Sequence, residues 1–358
     1  EKGVDGFRLD VINYISKRSG LPDGNETIGR LMGYYGVEHY FYGPRLHEYL
    51  HELREKAFLP YHAFSVGETP GTGMQMSKLL TADYRNELDM VFSFDHLETP
   101  GHTRFDDYRY DLNYLKKYMI DWMENYGSHC QPSLFFENHD NPRMLSKVNP
   151  DPQYRDVLGK LLAVIQLTLR GTPFIYQGQE LGMINQNFQS IAELRDVESL
   201  NLYNELCKTM EKEEAFAKVL AGSRDHARTP MQWSNQQYAG FSTQVPWIMM
   251  DDDYKHCNVE TQLEEENSIL NFYRKLIALR KAHTVIYYGD VLFTNKKVKN
   301  LFTYYRKDET ATLYIEINLG PSNRKRTKLP EGTRLLSNYA EVSSSFLQPY
   351  EASIWEIN

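Results

Sequence analysis

Three acidic groups and their neighbours carry the chemistry open to this chain. Asp10 stands two positions after Arg8 in the opening run GVDGFRLDVIN. Glu68 closes AFSVGE, and Asp140 follows His139 in ENHDNPR. In a strand, side chains at i and i+2 share a face, so Arg8 and Asp10 point one way and Phe7 and Leu9 the other. The run reads as a buried strand, and a buried carboxylate beside a buried guanidinium is costly unless the two are paired or used. On these residues alone, a structural ion pair in an α/β core is the alternative reading.

Strands alternating with helical patterns must position these groups, the mark of a parallel α/β layout. Strands are expected over the opening run as far as Asn13 and at 63–68, 90–94, 133–137 and 174–177. Helices are expected at 40–56, 74–80, 113–126, 156–169 and 267–281. In the helix at 113–126, Leu115, Met119, Trp122 and Met123 recur at helical spacing. Residues 184–265 read as a long, irregular, polar insertion, and such loops usually serve function. Short strands at 301–305, 311–317 and 352–357 predict a small all-β domain. Five strand–helix units are too few for a closed eight-stranded barrel, but they fit the last five of one. The expected organisation is therefore an incomplete (β/α)8 TIM barrel of the α/β class over residues 1–282, with the insertion at about 184–265. A β-sandwich-like domain over 283–358 follows. Asp10, Glu68 and His139-Asp140 then stand at the ends of successive strands, with Gln177 after them. Carboxylates ending three strands of one sheet are hard to explain as core structure.

Composition narrows the partners. Hydrophobic residues are 41% and charged residues 25%, ordinary values for a soluble globular protein. The 26 Tyr suit surfaces that meet polar, ring-shaped ligands. A formal charge of −8 argues against nucleic acid or anionic membranes. Cys130, Cys207 and Cys257 are widely spaced, which fits a reducing, cytoplasmic setting and no zinc motif. No apolar run approaches the roughly 20 residues of a membrane span. The chain starts at Glu1 and enters a strand almost at once, so it is expected to be the C-terminal part of a longer protein.

FRLDV, VGE and ENHDNPR, in this order, resemble the signature of glycoside hydrolase family 13, the α-amylase family. GTPFIYQGQELGM and RDHARTPMQW are similar to its α-glucosidase and oligo-1,6-glucosidase branch. The resemblance implies a retaining glycosidase that removes glucose from the non-reducing end. In it Asp10 is the nucleophile and Glu68 the acid/base. Asp140 is the third carboxylate, which binds sugar hydroxyls with His139 and stabilises the transition state. Glu68 is then expected to be desolvated and close to another carboxylate, both of which raise its pKa. Arg8 would be the charge partner of Asp10. Asn141 and Arg143 would line the leaving-group side, or Asn141-Pro142-Arg143 is simply a turn. Arg228 matches an arginine of the glucose subsite; the alternative is an ion pair with Asp225. Gln177 and Glu180 receive no role.

The resemblance also implies substrates. Val11, after the nucleophile, goes with α-1,6 cleavage in relatives, while Ala or Thr goes with α-1,4. Isomaltose and isomalto-oligosaccharides are therefore the expected substrates, ahead of α-1,4 glucosides. Trehalose-6-phosphate hydrolases share DVIN, and they would need a basic cluster, for which Arg143 and Lys147 are the candidates. A non-catalytic transporter heavy chain uses a similar barrel as scaffold, but has no need of the three carboxylates. No cofactor or metal ion is expected in this part of the barrel, and the chain is expected to be a monomer. Alone, without the family's earlier strands, it is expected to be inactive and aggregation-prone. Glu137 departs from the Asn or Asp of many relatives and has no assigned role.

Overall fold

The computed structural model describes residues 3–326 and 328–357. They form two compact units, one of residues up to 97 with 121–133, the other of residues 98–120 with 134 onward.

In the first unit, strands β1 (Gly6–Leu9), β2 (Phe64–Glu68) and β3 (Met90–Phe92) make a parallel sheet in the order β1-β2-β3. Helices α1 (Glu26–Met32), α2 (Leu46–Leu53) and α3 (Met74–Thr81) connect them. Leu46 and Leu50, one helical turn apart on α2, join Leu80 of α3 in a core with Ile12, Leu88 and Val91. Gly67 allows this packing. A Cβ there would lie 2.8 Å from both Ile12 and Leu88 side chains. Asp89 fixes the entry to β2 and β3, since its carboxylate accepts two bonds from Arg54 and one each from the Ser65 N–H and hydroxyl.

Three expectations fail here. The opening strand ends at Leu9, because Val11 turns left-handed and Ile12–Tyr14 form a 3-10 turn. It is also not buried. Phe7 is 48% exposed, and the Asp10 side chain is 74% exposed, because β1 is an edge strand among the described residues. The expected helix from Tyr40 starts only at Leu46, after left-handed Tyr42 and Gly43-Pro44. Proline drives the residue before it out of the helical region.

Helix α4 spans Leu112–Asn125, and Leu115, Met119, Trp122 and Met123 on it are all buried. Strands β4 (Ser133–Leu134) and β5 (Thr172–Pro173) pair. In the second unit, helices α5 (Met144–Val148) and α6 (Arg155–Thr168) lie between them in sequence. Leu158 to Thr168 of α6 are buried without a break, so this helix is central rather than amphipathic. The expected strand at 174–177 is displaced into β5. The buried Gln166 amide donates to the carbonyls of Leu134 and Phe174 and takes the place of further ladder bonds.

The segment 184–265 is less irregular than its composition predicts. It carries α7 (Val197–Leu206), α8 (Lys212–Gly222) and α9 (Val259–Glu264). Asp196 and Asn258 cap α7 and α9 through their side chains, and Phe188, Leu194, Val219 and Ile248 form a local core. Helices α10 (Ile269–Ala282) and α11 (Val285–Tyr288) follow. Then come β6 (Asp290–Thr294), β7 (Leu301–Lys307), β8 (Thr312–Asn318), β9 (Arg324–Lys325), β10 (Gly332–Ser337), β11 (Phe346–Leu347) and β12 (Ala352–Ile357). Five of these make an antiparallel sheet in the order β10-β12-β8-β7-β6, and β9 pairs with β11. No helix among the described residues is long and apolar enough to cross a membrane.

Candidate active site

The first unit brings Arg8, Asp10, Val11 and Glu68 together. Val11 has φ 35° and ψ 44°. A β-branched residue in that region is an outlier, and such strain collects at functional positions. The turn points the Val11 N–H toward Glu68 Oε2, 3.3 Å away. One guanidinium nitrogen of Arg8 donates to Asp10 Oδ1, the other to Glu68 Oε2 at 2.5 Å. Glu68 ends β2 and is buried, whereas Asp10 lies just past β1 and is exposed.

Burial pushes the Glu68 carboxyl above its ordinary range, and its hydrogen bond to Asp10 acts in the same direction. The Arg8 charge and the Val11 N–H pull it back part of the way. The two carboxyls therefore sit in different environments. Glu68 is buried and pushed up, whereas Asp10 is solvated and held by a guanidinium.

The second unit brings His139, Asp140, Asn141 and Arg228 together. Asp140 Oδ1 accepts from Arg228 at 2.8 Å and from Arg224 at 3.3 Å, and His139 Nε2 lies 3.4 Å from Oδ2. Arg228 also donates to the His139 carbonyl at 2.8 Å, and Arg104 to that of Asp140 at 2.6 Å. The Asn138 side-chain oxygen accepts from the Asp140 N–H and the Asn141 amide, which closes the turn. Asp225, the alternative partner of Arg228, instead accepts from the backbone N–H groups of Arg195 and Asp196.

Arg224 escaped the sequence reading, although it stands four residues before Arg228. It bridges Asp140 and Asp196. Burial acts to raise the Asp196 carboxyl, but hydrogen bonds from Arg224 and Ser199 outweigh it and hold the group below its usual range. Asp196 thereby fixes the guanidinium that reaches Asp140.

Arg143 departs from expectation. Its side chain is 1% exposed and paired with Glu137 at 2.9 Å, and it donates to the Gln177 carbonyl. It therefore does not line an open leaving-group side. Glu137 gains a role in the same pair, and its second oxygen accepts the Met144 N–H at the start of α5. Lys147 is also buried, against Glu98 at 2.5 Å. The basic cluster that a phosphate would need is thus spent on internal pairs. Glu180 is largely buried, and burial raises its carboxyl. Among the described residues, no three or more His, Cys, Asp or Glu groups could hold a metal ion.

Residues 1–289 match the family described as alpha amylase, catalytic domain. Over its whole length the chain is 38% identical to an oligo-1,6-glucosidase of Bacillus cereus, of which it covers 66%. It is 37% identical to a trehalose-6-phosphate hydrolase of Bacillus subtilis, of which it covers 65%. The solved trehalose-6-phosphate hydrolase of Bacillus licheniformis superposes on 99% of the chain with a TM-score of 0.88 at 35% identity. The isomaltulose synthase of Klebsiella sp. LX3 does so with 0.91 at 29%. The chain spans about two thirds of the length of these relatives. Strand-end carboxylates, parallel βα units and a terminal antiparallel sheet agree with these matches: the chain belongs to the alpha-amylase family, of which it carries part of the (β/α)8 catalytic barrel and a C-terminal β-domain.

Proposed function

We propose that the protein is a retaining α-glucosidase that hydrolyses α-1,6-linked glucosides, isomaltose and isomalto-oligosaccharides, from the non-reducing end. The observation that supports it best is the divided carboxyl pair on Arg8. Asp10 attacks the anomeric carbon while Glu68 passes its proton to the glycosidic oxygen, and the C–O bond to the leaving sugar breaks. Glu68, now ionised, takes a proton from water, whose oxygen displaces Asp10 and releases glucose. Asp140, held by Arg224 and Arg228, accepts hydrogen bonds from sugar hydroxyls, and His139 joins it. A non-catalytic scaffold has no need of these groups.

Linkage preference rests on Val11. A methyl-scale difference beside the leaving group is worth about 1–3 kcal/mol, so it tunes preference between α-1,6 and α-1,4 links. The burial of Arg143 and Lys147 weighs against trehalose 6-phosphate. The free thiols of Cys207 and Cys257 support a reducing, cytoplasmic setting. The test is hydrolysis of isomaltose, maltose and trehalose 6-phosphate by the full-length protein, with Asp10→Asn as control. Isomaltose is expected to be fastest. Activity surviving in Asp10→Asn would remove the mechanism, and faster maltose cleavage would remove the Val11 argument.

A further inference from the structure

The segment from Thr229 to Met250, TPMQWSNQQYAGFSTQVPWIMM, holds no Asp, Glu, Lys, Arg or His. At the 25% charge of the whole chain, a stretch this long would carry about five charged residues. It nevertheless lies at the surface. Trp233 is 50% exposed, Phe241 52% and Trp247 67%. Between these rings the sequence is rich in side-chain amides and hydroxyls, which bind neutral polar groups and select no ion.

The backbone holds Trp233 firmly. Tyr238, Ala239 and Gly240 are left-handed in succession, with φ of 53°, 57° and 65°. Only glycine enters that region without strain. The turn persists because the N–H groups of Trp233 and Ser234 both donate to the Ala239 carbonyl, at 2.9 and 3.0 Å, and Ala239 is fully buried. The Trp233 carbonyl in turn accepts the Glu260 N–H of α9 at 3.0 Å. Strain of this kind is kept where a side chain must be presented. Trp233 also stands five residues after Arg228, which holds Asp140, so the chain keeps it within about 18 Å of that arginine.

We propose that this segment binds a sugar ring of an uncharged oligosaccharide, with Trp233 as the stacking face and the neighbouring amides and hydroxyls as partners of the sugar hydroxyls. The proposal rests on the α-glucosidase reading and deepens it. An indole offers a flat apolar surface to the C–H face of a pyranose, and the segment offers no cation to a phosphorylated one. A protein partner is the competing occupant, and its surface would be expected to bring charges to meet.

The test uses the full-length protein and isomaltotriose. In an Asp10→Asn background, acrylamide quenching of tryptophan fluorescence is compared with and without the sugar. Trp122 and Trp355 are buried, and Trp247→Phe removes the other exposed ring, so Trp233→Phe identifies the signal of interest. Saturating isomaltotriose is expected to shield that signal. In the active protein, Trp233→Ala is expected to raise KM for isomaltotriose about 2- to 12-fold, with a smaller rise for isomaltose. Hydrolysis by the parent with no shielding and equal KM changes would overturn the proposal. So would a Trp233 signal already shielded without sugar, which would assign the face to protein. A parent that hydrolyses no α-glucoside would remove the underlying reading, and the proposal with it.

Discussion

Replacing Arg8 with Met tests the division of the carboxyl pair directly. Arg8 carries the charge that opposes burial at Glu68, so its loss must raise that carboxyl further. Two unit charges about 4 Å apart interact by about 4 kcal/mol at an effective dielectric near 20, and by about 1 kcal/mol in water. The Glu68 side chain is 9% exposed and that of Arg8 36%, so solvent screens the pair in part. An intermediate figure of about 1–3 kcal/mol corresponds to about 1–2 pH units. Glu68 must be protonated to act as acid, so activity falls as pH rises through its pKa. The falling limb of kcat/KM against pH should therefore move up by about 1–2 units in Arg8→Met, and stay near the parent position in Arg8→Lys. The stability linkage has the same sign. A carboxyl raised in the folded state contributes stability below its unfolded pKa, and that contribution is lost as pH rises through the folded value. Thermal unfolding of Arg8→Met should accordingly lose its Glu68-linked stability at higher pH than the parent does. A limb that stays fixed or moves down in Arg8→Met would refute the charge argument. A limb that vanishes only in Glu68→Gln would keep Glu68 as the acid while removing Arg8 from its tuning.

Other substitutions probe the remaining parts. Asp140→Asn keeps size and removes charge, and should lower kcat of the full-length protein by about 100-fold or more, measured on isomaltose. Arg228→Lys should also cost activity, because an ammonium cannot span the Asp140 carboxylate and the His139 carbonyl as the guanidinium does; an unchanged kcat/KM would dismiss that role. Val11→Ala should lower the isomaltose-to-maltose ratio of kcat/KM by about 10-fold, assayed by glucose release. Glu137→Gln leaves the buried Arg143 charge unpaired and should cost about 3–5 kcal/mol in urea unfolding, with no specific change in linkage preference.

Much of this was legible from residue order. The helical spacing of Leu115, Met119, Trp122 and Met123 located a buried stripe, and Glu68 fell at a strand end as expected. What escaped depended on local backbone turns and on partners far away in sequence. Nothing in DVIN announces that Val11 turns left-handed and ends the strand before Asp10. The burial of β1 was misjudged because alternation reports a face, but not whether another strand covers the edge. Arg224 was passed over because its partner Asp140 lies 84 residues earlier. Caps such as Asp196 were hidden in a stretch whose polarity read as loop.

The ENHDNPR motif shows how burial decides what such charges can do. Within seven residues it sends Glu137 and Arg143 into the interior as a pair and leaves His139 and Asp140 partly open. Breaking the buried pair would strand a charge, so its two members are bound to each other whatever ligand arrives. Asp140 is also paired, with Arg224 and Arg228, but its side chain keeps 28% exposure and, among the described residues, one of its oxygens meets only His139. That oxygen can accept a sugar hydroxyl without dismantling the guanidinium contacts that orient it. The same distinction applies to Asp10 and Glu68, where exposure and burial fall on opposite members of one pair. Charge alone marks six or more groups in these motifs as candidates. Exposure after internal pairing reduces them to Arg8, Asp10, Asp140, His139 and Arg228, with the buried Glu68 held beside Asp10 by Arg8.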